Sequence, residues 1–140
     1  MGVIALAVAR KRLSTQRGDT MNRTETGQRG EQAACAYLER TGMTIVDRNW
    51  RTGAGEIDIV ALDADALVFV EVKTRKTLVT GTPEAAVSPT KQRKIVRLAR
   101  EYAARTGFEP NVRFDVISIT VLGEDRAVLR HHRAAFVAEA

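Results

Sequence analysis

From Gly55 to Lys73 the chain reads GEIDIVALDADALVFVEVK, with apolar and charged residues alternating through Glu56-Ile57-Asp58-Ile59 and again through Val70-Glu71-Val72-Lys73. Strand side chains point to opposite faces with period two, so this spacing predicts two strands. Glu56 and Asp58 share a face of the first, and Glu71 and Lys73 share a face of the second, backed by Ile57, Ile59, Val70 and Val72. A turn through Asp63-Ala64-Asp65 lays the strands side by side, which brings Asp58 near Glu71.

The remaining elements follow from similar patterns. A first helix is predicted over Thr26–Thr41, with Asn22 or Thr24 as cap and Gly42 as stop. Its apolar stripe of Ala34, Cys35 and Leu38 includes Glu31, at spacings of three, four and seven. A carboxylate there either faces a partner charge or a metal, or reaches solvent and the positive helix end. Met43–Asn49 reads as a strand, and Trp50 leads into a turn-rich link, packing at the sheet edge or stacking on a base. Thr74–Val87, with Gly81 and Pro83, reads as an irregular loop. The second helix has Ser88 as N-cap, Pro89 in its first turn and Gly107 as its end. Ile95, Leu98, Ala99, Tyr102 and Ala103 form its apolar face; Arg93, Lys94, Arg97, Arg100 and Arg105 lie opposite. Lys91 and Gln92 fall beside the apolar arc and are expected to point toward the sheet. Val112–Leu122 reads as a long strand and Ala127–Arg130 as a shorter one, with Asp115 in a structural salt bridge and His131 and His132 at the surface.

At 140 residues and 44% apolar content the chain is long enough for one core. Residues 1–23 are expected to be a disordered N-terminal extension, and 24–140 a single domain. The net charge of +5 and pI near 9.9 favour a polyanionic partner. Cys35 is the only cysteine, which excludes an internal disulfide or a cysteine-built zinc site and fits a reducing cytoplasm. The apolar run Val3–Ala9 is too short to span a membrane.

Two carboxylates and an ammonium on one patch suit a hard divalent cation, since Mg²⁺ is commonly held by one or two carboxylates with water and phosphate. The triplet Glu71-Val72-Lys73 carries little weight alone: with 17 acidic residues and 5 lysines, about 0.6 such acid-x-Lys triplets arise by chance. Read alone, the triplet is better explained as a half-exposed strand whose polar face makes a cross-strand ion pair, with no function required. Arg75 and Lys76 lie just beyond, in a loop that is either a phosphate clamp or lid or simply solvated. The row Arg93, Lys94, Arg97 and Arg100 is either a solvated helix face or a surface for a DNA backbone.

Taken in order, Gly27 to Glu31 (GxxGE), GEIDIV at 55–60, VFVEVK at 68–73, KQRK at 91–94 and RFDV at 113–116 resemble the PD-(D/E)XK nuclease superfamily. Within it they are similar to the small bacterial YraN-like proteins, over nearly the whole span from Thr26 to Phe136. The resemblance implies an α/β restriction-endonuclease-like core, a mixed sheet flanked by helices. It also implies that Asp58, Glu71 and the main-chain carbonyl of Val72 are metal ligands, that Lys73 is the catalytic lysine, and that Glu31 is the helix-borne acid of Holliday junction resolvase-like members. Gln92 or Lys91 corresponds to the polar residue on the following helix. Ile57 stands where the nominal proline would be. The implied activity is a Mg²⁺- or Mn²⁺-dependent endonuclease on DNA, branched or structured, with Lys91, Arg93, Lys94, Arg97, Arg100, Arg75 and Lys76 on the nucleic acid. A resolvase acting on both strands is expected to be a homodimer, although no coiled-coil signal marks an interface. The competing reading is a non-catalytic nucleic-acid-binding module with the same fold.

Overall fold

A computed structural model of the chain describes residues 2–7, 23–76, 87–107 and 111–138. In chain order the elements are β1 (Gly2–Ala7), α1 (Arg23–Arg40), β2 (Thr44–Thr52), β3 (Gly55–Asp63), β4 (Ala66–Arg75), α2 (Pro89–Thr106), β5 (Asn111–Val121) and β6 (Arg126–Phe136). They form a mixed sheet in the order β1-β6-β5-β4-β3-β2. Only β4 and β5 run parallel among these pairs, and a parallel pair needs a crossover, which α2 supplies. The architecture is α/β with a restriction-endonuclease-like core.

The two helices cover opposite faces of the sheet. Ala34, Cys35, Tyr37 and Leu38 of α1 pack on Ile59, Ala61, Val68, Val70, Ile117, Ile119 and Leu129. On the other face Ile95, Leu98, Ala99 and Tyr102 of α2 meet Val60, Leu67, Phe69, Phe114, Val116 and Phe136. The central strands β3, β4 and β5 are covered on both sides, so successive residues such as Leu67, Val68, Phe69 and Val70 are all buried. α2 is closed as its sequence predicts: Ser88 Oγ accepts from Lys91 N, and Gly107 takes the left-handed conformation with φ 71°. Trp50 packs edge-on against Tyr102 at 5.2 Å, beneath the Arg105 guanidinium.

Several boundaries differ from the sequence reading. Part of the expected N-terminal extension is an edge strand: Gly2–Ala7 pairs antiparallel with β6 from Gly2–His131 to Ala7–Arg126. Residues 8–22 lie outside the described residues, as do 77–86 of the predicted loop and 108–110. β2 runs through Trp50 to Thr52, leaving only Gly53 and Ala54 as the link to β3. β6 extends to Phe136 rather than ending at Arg130. Its later half, HHRAAF, lacks simple alternation because the pairing with β5 shifts register between Phe114 and Val116, and Ala134 turns through φ 51°.

His131 is not at the surface, because β6 runs on past Arg130 in regular register and alternation puts His131 in line with the buried Ala127 and Leu129. It is 1% exposed, with Nε2 2.8 Å from Asp115 Oδ2 and Nδ1 3.1 Å from the Tyr37 hydroxyl. His132 is half-buried. Asp115, fully buried, also accepts from Arg113 Nε at 2.9 Å, Arg113 Nη2 at 3.0 Å and Ala134 N at 3.0 Å. Burial alone would raise the Asp115 pKa, but the bonds from His131, Arg113 and Ala134 outweigh it and hold it below the ordinary carboxylate value. An ionised Asp115 can only accept, so His131 Nε2 carries a hydrogen and gives it to Asp115, while Nδ1 meets the Tyr37 hydroxyl. This chain of bonds ties α1 to β5 and β6. Asp115→Ala would take the acceptor from the buried His131 Nε2 and from the Ala134 N–H and leave Arg113 with Asp63 alone, and is expected to cost about 3–5 kcal/mol. Urea unfolding measures this, and a loss below about 1 kcal/mol would contradict the assignment.

Candidate functional site

The proposed site lies where the sheet divides. β3 and β4 pair from Asp63–Ala66 as far as Ile59–Val70. Beyond that point β3 stays with β2 to Thr52–Gly55, while β4 stays with β5 to Arg75–Thr120. The fork leaves main-chain groups of β4 without a strand partner, and Asp58 supplies one: its Oδ2 accepts from Val72 N at 2.8 Å. Strand geometry turns a residue's N–H and C=O to the same side, so the Val72 carbonyl also faces the fork.

Period-two alternation continues Leu67 and Phe69 into Glu71 and Lys73, on the α2 face. There Glu71 Oε2 lies 3.9 Å from Lys73 Nζ and 3.7 Å from Lys91 Nζ. Lys91 of α2 thus reaches the site. Gln92 Nε2 donates to the Val87 carbonyl at 2.9 Å, at the start of α2.

Glu31 comes from the other face of the sheet and hydrogen-bonds Asp58. A glycine makes this approach feasible. A Cβ on Gly30 would overlap Thr74 Oγ1 and lie 3.3 Å from the Thr74 Cβ, on a β-branched side chain with little freedom to move. Gly55 is constrained similarly: its φ is +152°, and an added Cβ would sit 2.8 Å from Lys94 Cε. The stem of Lys94 thus packs over the beginning of β3. Arg75, Lys76, Arg93, Arg97 and Arg100 are exposed, the first two at the end of β4 and the others along α2.

Sequence reasoning missed Asn49. It lies between the register pairs Arg48–Ile59 and Trp50–Ile57, hence across from Asp58. With its amide nitrogen facing the acids, it donates to Glu31 Oε1 at 2.8 Å and to Glu56 Oε2 at 3.1 Å. The available signal was one uncharged amide in the run Arg48-Asn49-Trp50-Arg51, just ahead of the acidic strand.

The model of the uncharacterised protein family UPF0102 matches residues 30–119, a span that contains Glu31, Asn49, Asp58, Glu71, Lys73 and Lys91. The UPF0102 protein of Geobacter sulfurreducens is 51% identical over 111 residues, covering 79% of this chain and 87% of its own. Those of Rhodococcus jostii, 47% identical over 79% of this chain and 94% of the relative, and Anaeromyxobacter dehalogenans, 42% identical over 85% and 89%, are similar throughout. The chain belongs to UPF0102. This is the YraN-like family that the sequence motifs resemble.

In this UPF0102 member the acids are held close without a full set of counter-charges. Burial, then the neighbouring charges of Asp58 and Glu56, raises Glu31 from 4.5 to about 7. Burial and Asp58 likewise raise Glu71 from 4.5 to about 7, against the opposing effect of Lys91 and Lys73. Burial raises Asp58 as well, partly offset by the Val72 N–H. Below neutrality Glu31 and Glu71 thus carry protons and donate to Asp58.

Carboxyl oxygens and a main-chain carbonyl are hard donors, so the set fits Mg²⁺ or Mn²⁺, which would replace those protons. Among the described residues no three His, Cys, Asp or Glu side chains already form a metal cage; the acids meet pairwise, Glu31 with Asp58 and Asp58 with Glu71. Among those residues, too, no helix is long and apolar enough to cross a membrane.

The raised values fix a pH dependence. Between 4.5 and about 7 the unfolded chain has lost protons that folded Glu31 and Glu71 retain, so stability without divalent cation falls as pH rises through that window. Asp115 acts with the opposite sign, and its contribution is lost only below 3.8. Urea midpoints in chelator should therefore decline from pH 4.5 to 7, and Glu71→Gln should flatten the decline. A midpoint that rises equally for both proteins across this window would contradict the assignment.

Proposed function

We propose that the chain is a metal-dependent DNA endonuclease that hydrolyses phosphodiester bonds, with branched or structured DNA as its substrate. The observation that carries this reading is the fork, where Asp58, Glu71 and the Val72 carbonyl converge between two lysines, and Glu31 enters from the opposite face. These residues would hold Mg²⁺ or Mn²⁺. When bound, the cation supplies charge neutralisation at the phosphodiester.

The chain's own groups divide the remaining work. Lys73 orients the attacking water, and the ammonium of Lys91, beside Glu71, adds positive charge where the phosphate must approach. Water oxygen bonds to phosphorus as the bond to the leaving oxygen breaks, giving a phosphomonoester and a hydroxyl. Arg75 and Lys76 at the end of β4, with Arg93, Lys94, Arg97 and Arg100 along α2, form basic ground for the DNA backbone on either side. The buried, unpaired Cys35 accords with a reducing cytoplasmic setting. Cleavage of two strands of a junction would call for a homodimer.

The test is cleavage of end-labelled linear, flapped and four-way DNA with Mg²⁺ or Mn²⁺ against chelator, beside Lys73→Ala and Asp58→Ala. Cutting should require the cation, favour branched DNA and fall by at least about 10²-fold in both variants. Binding without cutting under every metal would replace this reading with a non-catalytic nucleic-acid-binding module. Cutting that survives both substitutions would place the chemistry elsewhere.

A further inference from the structure

Asn49 occupies a position that a strand does not ordinarily provide. Its φ is 52°, in the left-handed region, which asparagine visits more readily than most residues other than glycine. The residue is exposed, and no core packing accounts for that conformation. What the conformation serves is a bridge: one amide group spans the carboxylates of Glu31 from α1 and Glu56 from β3, at 2.8 Å and 3.1 Å. An amide nitrogen has two hydrogens, so it can give one to each acid.

Glu56 is itself fixed, because Arg51 Nε donates to the same Oε2 at 3.0 Å. The bonds therefore form a continuous line. Arg51 holds Glu56, Glu56 and the left-handed backbone hold Asn49, Asn49 holds Glu31, and Glu31 meets Asp58 at the fork. Glu31 sits on a different element from the other proposed ligands, and the long glutamate side chain has several rotamers to lose. An external donor fixed to the sheet removes that freedom before a cation arrives.

We propose that Asn49 is a positioning residue that aims the Glu31 carboxylate into the divalent-cation site. The inference rests on the cation-binding reading above, and adds to it a residue that touches neither cation nor DNA. Partners of this kind commonly change metal affinity by about 10–100-fold when removed. The amide also separates two acids that would otherwise face one another, a role that aspartate of the same shape could not fill.

Calorimetric titration of the full chain with Mn²⁺ tests this, using wild type, Asn49→Gly, Glu31→Gln and the double variant. Glycine keeps the left-handed backbone without strain, so the substitution removes the amide and spares the fold; thermal melts without metal should show that the variant still unfolds cooperatively. Asn49→Gly should weaken Mn²⁺ binding about tenfold. In the Glu31→Gln background the same substitution should cause no further loss, as a cycle between coupled residues requires.

Wild-type binding with unchanged affinity in Asn49→Gly would overturn the inference while leaving the cation site standing. A tenfold loss that persists in the Glu31→Gln background would also overturn it, since Asn49 would then act by another route. Absence of Mn²⁺ binding by wild type would defeat the cation-site reading, and the role of Asn49 with it.

Discussion

The Val72 N–H loses its strand partner where β3 and β4 part, and the Asp58 carboxylate accepts it at 2.8 Å. That bond lets the sheet divide without leaving a main-chain donor unmet, a cost comparable to a lost hydrogen bond. It also fixes one carboxylate at the apex of the opening. Everything else in the candidate site is arranged about this point: Glu71 one strand across, Lys73 and Lys91 beside Glu71, and Glu31 arriving from behind. A closed ladder would satisfy the backbone more simply, but it would offer no recess in the sheet and no inward-facing carbonyl.

Such an arrangement works against stability. Three acids drawn together, two of them with pKa raised to about 7, disfavour the folded state as they ionise. The rest of the molecule has to hold them there. Two covered sheet faces provide most of that support, and the Tyr37–His131–Asp115 chain adds a polar tie from α1 to the far side of the sheet. Because α1 carries Glu31, the tie helps fix the helix from which that acid projects. Gly30 performs a complementary task by letting the helix lie against Thr74.

The parts of this design that the sequence made legible are those governed by strong local rules. The alternation in GEIDIV and VFVEVK placed Asp58 opposite Glu71, and the cap and stop at Ser88 and Gly107 bounded α2. Glu31 stood out because a carboxylate interrupted an apolar stripe. Other features depend on geometry that residue patterns do not encode. His131 looked like a surface residue because it sits in a charged run, yet β6 runs on past Arg130 and keeps it on the buried face with Ala127 and Leu129, where it meets Asp115. Asn49 looked like the end of a strand, while its left-handed backbone carries it into the acid cluster. Lys91 and Gln92 share one margin of the helix face, and only side-chain geometry shows Lys91 beside Glu71 and Gln92 bonding the Val87 carbonyl.

The central claim is that the fork holds a divalent cation between Asp58 and Glu71. Anomalous scattering from a crystal grown with Mn²⁺ tests it most directly. A peak in the fork, bounded by Asp58, Glu71 and the Val72 carbonyl and absent in an Asp58→Ala crystal, is the predicted result. A fork with no anomalous peak at saturating Mn²⁺, or the only peak at another surface, would contradict the account.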